Sequence, residues 1–386
     1  MFKKLFEEVP LAWSQLAHQK IRLLVALSGI SFANILIFTQ LGFKATLFSG
    51  ETNIPESMKG DLFLIDNKAQ FVGNESISKQ QLYRAEGVEG VASAKPVYYS
   101  MVSWLNPWNK KNITINVLAF NPAQPVLNLP EINRQIGAIE QPDTVLFDSK
   151  SLASLGAVPE AIAEGKTVRT KVNERKIKVG GVFPLGTTAF RRGHIVTSDV
   201  NYIRIFGSQS ADNIQVGIIT LKPGANPQKV IAGLQQTLPD DIKVIDRASF
   251  IALEKDYWNK EPAGIIFNFG IIMGFVVGII IVYQVLYTDV NDHLPEYATL
   301  KAMGYSDTSL LMVVFQEATI LAVLGFVPGF TFSAGLYGFL GSLTQIAVIM
   351  SVDVALTVFL LTLLMCIISA AIAVQKLRSA DPADIF

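Results

Sequence analysis

Four stretches of this 386-residue sequence, Ile21–Phe43, Gly264–Tyr287, Leu310–Leu340 and Val352–Val374, are almost wholly apolar. Each exceeds the roughly 18 residues a helix needs to cross a hydrocarbon core. No other feature restricts the fold as much, because in lipid such a segment satisfies its backbone polar groups only as a helix. Charged residues make up 17% of the chain, against about 25% in ordinary soluble domains, so solvating groups are scarce. The sequence predicts four transmembrane helices. The first run is too long for a signal-peptide core and has no small-residue cleavage site before Lys44, so it is read as a retained anchor.

The distribution of charge predicts the topology. The chain carries 32 Lys+Arg and 32 Asp+Glu, which gives no electrostatic basis for nucleic-acid binding. Outside residues 44–262 the basic residues are Lys3, Lys4, Lys20, Arg22, Lys301, Lys376 and Arg378. All seven fall on one side if the N-terminus is cytoplasmic, as the positive-inside rule requires of short flanks and loops. The expected order is a cytoplasmic segment 1–20, a span 21–43, a periplasmic domain 44–262 and a span 263–288. A cytoplasmic loop 289–308, a span 309–340, a short outer loop 341–351, a span 352–375 and a cytoplasmic tail 376–386 complete it. This describes a multi-pass protein of the cell inner membrane, in contact with membrane lipids. Cys366, the single cysteine, falls in the fourth span, so the outer domain has neither disulfides nor thiolate metal ligands.

Within 44–262, "DLFLID" (61–66), "NITINVLAF" (112–120), "RKIKVGGVF" (175–183) and "IQVGIITL" (214–221) read as strands. Two helical patterns lie among them. One begins at Ser78 as N-cap, the other at Asn226 followed by Pro227. Strand–helix–strand thus occurs once near each end of the domain, while 121–212 is richer in loops. The expected fold is an α+β membrane protein: four helices, with a large two-lobed extracytoplasmic α+β domain between the first and second. Residues 121–212 would form an inserted lobe. Tyr257 and Trp258, just before the second span, read as an interfacial aromatic belt or as ligand contacts.

Catalytic patterns are missing. His18, His194 and His293 lack metal-ligand spacing, and "GVFPLGTT" (181–188) resembles a phosphate loop without its lysine. No G-x-S-x-G elbow occurs. No catalytic residues, metal site or bound cofactor are expected. Helix packing is better marked. Gly270, Gly274 and Gly278 repeat every four residues in the second span, as do Gly325 and Gly329 in the third, and small residues at that spacing let helices approach closely. Glu317 is the acid well inside an apolar run. It suits either a proton or substrate site or an interhelical hydrogen bond near the membrane edge. Asp353 reads as interfacial.

"DVNDHLPEYATLKAMGYSD" (289–307) is a polar insert between the second and third spans. Pro295 suits a helix start and Gly304 a stop. Glu296 and Lys301 suit the two ends of the helix dipole. Leu294, Tyr297, Leu300 and Met303 would form one apolar stripe. A helix of about nine residues is marginal alone, since isolated helices below roughly 12–15 rarely persist. It must either lie on the membrane as a connector or fit a groove on a partner.

"LYTDVNDHLPEYATLKAMGYSD" with the following span resembles the core of FtsX/MacB-type ABC transporter permeases, in which a short cytoplasmic coupling helix joins the second and third spans. Glu296, Ala298, Leu300, Lys301, Ala302 and Gly304 match that helix, Glu317 matches an acid early in the third span, and "AVQKLRSADPADIF" is similar to the family's tail. The wording around Tyr287–Tyr305 is nearest to the DevC-like permeases of cyanobacteria. The resemblance implies a homodimer that binds a separate ABC ATPase, which consumes the ATP. The contact would run through Glu296, Tyr297, Leu300, Lys301, Met303 and Gly304. It further implies mechanotransmission to the outer domain, with export of a glycolipid or other amphiphile through a membrane-fusion protein and a TolC-like outer-membrane channel. Signal transduction to a periplasmic hydrolase, and lipoprotein release, use the same layout.

Overall fold

The computed structural model describes residues 20–188, 191–296, 299, 303, 307–344 and 350–379. The chain divides into two compact units. One comprises Met1–Thr46 with Pro262–Phe386, the other Leu47–Glu261.

The first unit is built on four long helices: α1 (Lys20–Ser49), α6 (Pro262–Asp292), α7 (Asp307–Thr344) and α8 (Val352–Ser379). All four are long and apolar enough to cross a membrane, so the protein is a multi-pass membrane protein. Their shared core is made largely of small and aliphatic side chains, among them Ala26, Ile30, Ala33, Val282, Ala318, Ala322, Cys366 and Ala370. Small residues suit this position, because apolar packing between helices gains little over lipid and close backbone approach must supply the attraction. Ile265, Phe269, Ile272, Val276 and Ile280 form an exposed apolar stripe on α6. Pro328 lies inside α7.

The glycines occupy the closest contacts. A Cβ on Gly274 would come within 2.9 Å of the Ile37 side chain, and one on Gly278 within 3.1 Å of Ala33. Gly270 faces Gln40, so α6 runs antiparallel along α1. Gly325 faces Ile30 and Gly329 faces Asn34, so α7 runs parallel to α1 on another side. Both glycine series thus abut the first helix.

The second unit holds a nine-stranded sheet with the order β11-β1-β10-β3-β4-β8-β5-β7-β6. Its strands are β1 (Leu62–Asp66), β3 (Val91–Leu105), β4 (Asn112–Phe120), β5 (Thr144–Asp148), β6 (Arg169–Val172), β7 (Arg175–Phe183), β8 (His194–Ser198), β10 (Val216–Leu221) and β11 (Ile242–Asp246); β2 (Ile77–Ser78) and β9 (Asn213–Ile214) form a separate pair. Its helices of seven or more residues are α2 (Gln80–Glu86), α3 (Asp199–Phe206), α4 (Pro227–Thr237) and α5 (Arg247–Lys260). The four strands anticipated from sequence are present, as is strand–helix–strand near each end. β1 is buried on both faces. Leu62 and Leu64 join one hydrophobic cluster with Leu82 of α2 and Leu234 of α4, whereas Phe63 and Ile65 join another with Phe250 of α5. β7 instead alternates, with Ile177 and Val179 buried and Lys176 and Lys178 exposed.

Two sequence expectations are modified. Segment 121–212 contains β5 to β8, but these strands continue the same sheet through β4 and the 15-residue β3. The first part of β3 pairs with β10 and its second part with β4, while Trp104 pairs across to Val172 of β6. The inserted part therefore shares β3 and β4 with its surroundings. Ser78 lies in β2 and the α2 cap position is Lys79, with no side-chain cap. Asn226 does cap α4, its Oδ1 accepting from the amides of Gln228 and Lys229.

Candidate functional site: a charge cluster at the helix ends

α6 ends in an acidic turn. Asp289 and Asp292, three residues apart, share one face at the end where a helix carries partial negative charge. That placement is unfavourable without a nearby cation, and Arg22 of α1 supplies it. Its guanidinium lies 3.3 Å from Asp289 and also pairs with Asp292. The two acids differ in environment, Asp289 being buried and Asp292 half exposed. His293 extends the cluster, with Nε2 3.9 Å from Asp289 and Nδ1 3.2 Å from Glu296. Glu317 of α7 is fully buried and its carboxyl interacts with that of Asp289. Three helices thus place charged groups at one point. Parting α6 from α1 here would leave a buried carboxylate without its cation, which costs far more than breaking an exposed pair.

The anticipated coupling residues follow directly. Leu294 to Glu296 are helical after a turn at His293. Glu296 is exposed and held by His293. Met303 is exposed and its amide donates to the Thr299 carbonyl at 3.0 Å. Tyr297, Leu300, Lys301 and Gly304 lie outside the described residues. Arg22, Asp289, Asp292 and His293 were not singled out from the sequence as a group. An i, i+3 pair of acids at the C-terminal end of an apolar helix was the available clue, since that arrangement demands a cation from elsewhere.

The second unit has a cluster of its own. Arg191 is buried between Glu51 (Nε to Oε2, 3.1 Å) and Glu254 (3.5 Å). Its guanidinium lies 5.6 Å from the Tyr99 ring centre and 6.0 Å from that of Trp258. Thr188 donates to Glu51. Glu254 accepts from the Val72 amide at 2.9 Å and from Trp258 Nε1 at 3.1 Å. Burial pushes both carboxyls above their ordinary value, and the Arg191 charge opposes it. Trp258 is therefore a buried hydrogen-bond donor inside this unit and not an interfacial anchor. The loop that resembles a phosphate cradle is also already used: the amides of Leu185 and Gly186 bind the Asp148 carboxylate at 2.9 and 3.0 Å. Among the described residues no group of three or more His, Cys, Asp or Glu side chains could hold a metal ion.

Residues 268–382 match the family "FtsX-like permease C-terminal". An uncharacterised ABC transporter permease of Mycobacterium tuberculosis is 20% identical over 374 residues, covering 95% of this chain and 96% of that one. Another, from Mycobacterium bovis, is 22% identical over 320 residues, covering 81% of each. Among solved structures, the periplasmic region of MacB from Actinobacillus actinomycetemcomitans aligns with a TM-score of 0.35 and 12% identity, over 53% of this chain and 96% of that one. The extracellular domain of the transporter YknZ from Gram-positive bacteria aligns with a TM-score of 0.31 and 11% identity, over 48% and 99%. The matched residues include the acidic turn, Glu317 and most of the last three long helices, and the chain is similar along nearly its whole length to an uncharacterised ABC transporter permease.

Proposed function

We propose that this chain is the membrane subunit of an ABC exporter whose ATPase is a separate protein docking on residues 289–307. The observation that carries the proposal is the position of the Arg22–Asp289–Asp292 cluster. It joins the last turn of α6, immediately before that segment, to the first turn of α1. Glu296 and Lys301 would make polar contacts with the ATPase, and Tyr297, Leu300 and Met303 would fill its groove, with Gly304 ending the helix. ATP would bind and be hydrolysed on the partner. A push on the segment reaches α6 directly and α1 through Arg22. In the Leu47–Glu261 unit, Arg191 bridges Glu51, which follows α1, and Glu254, which precedes α6. It therefore ties together the entry and exit segments of the domain that would carry the work. Two copies of the chain would act with two ATPases in the inner membrane, the Leu47–Glu261 unit facing the periplasm. A membrane-fusion protein and a TolC-like channel would complete the path for a glycolipid or another amphiphile, as in DevC-like systems.

Vesicles containing the chain and its ATPase, loaded with a labelled glycolipid, test this reading. ATP should drive release of the label to an acceptor, and Arg22→Gln should abolish release while the ATPase remains bound. ATP turnover without any release would contradict export and favour signalling to a periplasmic hydrolase.

A further inference from the structure

We propose that the outward side of the β6–β7 hairpin docks an extended acidic segment of a partner protein. β3, β4, β8, β5, β7 and β6 are hydrogen-bonded in that order, and β6 meets β3 again at Trp104 and Val172. The six strands therefore ring a core in which Trp104, Phe147, Val172, Ile177 and Val179 are buried. Side chains alternate across a strand. Burial of Thr170 and Val172 on β6, and of Ile177 and Val179 on β7, thus turns Arg169, Lys171, Lys176 and Lys178 outward. The register sets like against like, with Arg169 opposite Lys178 and Lys171 opposite Lys176. Cross-strand neighbours stand about 5 Å apart and alternate residues of one strand about 7 Å apart, so the four cations form a flat grid.

Like charges directly opposite each other destabilise a sheet. Six basic and two acidic residues fall between Glu164 and Lys178, in a chain of zero net charge. Both acids are already paired, Glu164 with Lys166 at 2.5 Å and Glu174 with Lys171 at 2.8 Å. Arg169, Lys176 and Lys178 are exposed and form no ion pair among the described residues. Lysine on a sheet edge guards against unwanted strand pairing, but β7 is an inner strand, and charges of opposite sign would guard β6 without repulsion. An anionic partner removes that repulsion. Two features choose its kind. The outward side of the hairpin presents no apolar side chain to insert among acyl chains, which a lasting membrane contact needs besides charge. An extended chain repeats its side chains at the same spacing of about 7 Å, so alternate carboxylates meet successive cations of the grid.

The test uses the full chain in phosphatidylcholine nanodiscs and a fluorescent peptide of alternating Glu and Thr, with binding followed by anisotropy. Wild type is expected to bind the peptide at low salt, to release it at high salt, and to ignore the matching Lys–Thr peptide. Lys176→Glu combined with Lys178→Glu should weaken binding about tenfold, the effect of reversing two exposed charges. Lys229→Glu, on α4, should leave it unchanged. The double variant also replaces two repulsive cross-strand pairs by attractive ones, so its melting temperature should equal or exceed that of wild type. Lost binding in a variant at least as stable separates docking from folding. Failure of wild type to bind the acidic peptide would overturn the proposal, as would full binding by the double variant or a lowered melting temperature. Phosphatidylglycerol vesicles that bind wild type when the peptide does not would assign the grid to a membrane surface and overturn it as well.

Discussion

Arg191 lies where a cation would be least expected, buried with two carboxyls and two aromatic rings. Removing one member of such a group strands the others. Arg191→Met is therefore expected to destabilise the Leu47–Glu261 unit by about 3–5 kcal/mol. Adding Glu51→Gln and Glu254→Gln should recover much of the loss, and chemical denaturation of the three proteins measures both. A single substitution costing no more than a surface change would contradict the assignment. His194 is equally buried, with Nδ1 3.6 Å from Asp148. Burial and the Arg191 charge hold its imidazole below the ordinary value near 6.5, against the pull of Asp148. The unfolded chain then takes up a proton near pH 6.5 that the folded domain accepts only at lower pH, so stability falls as pH drops from about 6.5. Unfolding at pH 7.5 and 5.5 should show a larger loss for wild type than for His194→Gln, and equal losses would refute the argument. Neither cluster was legible in sequence. Glu51, Arg191 and Glu254 stand far apart in the chain and look like ordinary surface charges until the fold encloses them.

At the scale of elements, the membrane helices and the main strands were legible because each rests on a local period or on an uninterrupted apolar run. The spans read as 21–43, 263–288, 309–340 and 352–375 correspond to helices of 28 to 38 residues, with α1 at 30 and α6 at 31. The ends differ because a helix continues past its apolar portion for as long as its backbone bonds are met. The shared strand β3 was not legible as a hinge between two parts of the sheet, since pairing partners are set by contacts remote in sequence. Nor was the role of Trp258, whose partner Glu254 one turn earlier is visible in sequence but not its burial. The glycine series yields a direct prediction. Gly274→Val places a branched side chain where even a Cβ would stand 2.9 Å from Ile37, so it should cost about 1–3 kcal/mol by overpacking. Thermal unfolding in detergent should register the loss, while the same change at Gly335, which has no neighbour within 4 Å, should leave α7 packing intact. Similar stability for both variants would show that α6 does not rely on close approach to α1.

At the scale of the whole molecule, the chain pairs a membrane unit that has a buried charge contact at one end with a folded domain whose two connecting segments are tied by Arg191. Under the proposed function ATP is hydrolysed by a separate protein that docks on residues 289–307. The most direct measurement is co-purification of the ATPase with wild-type chain and with Leu300→Asp, membrane insertion being checked for both. The account predicts that the ATPase accompanies wild type and is lost from Leu300→Asp, because a charge in the middle of the apolar stripe disrupts a groove contact without affecting any span. An ATPase that binds both proteins equally, or neither of them, would contradict it and leave residues 289–307 as a connector on the membrane surface.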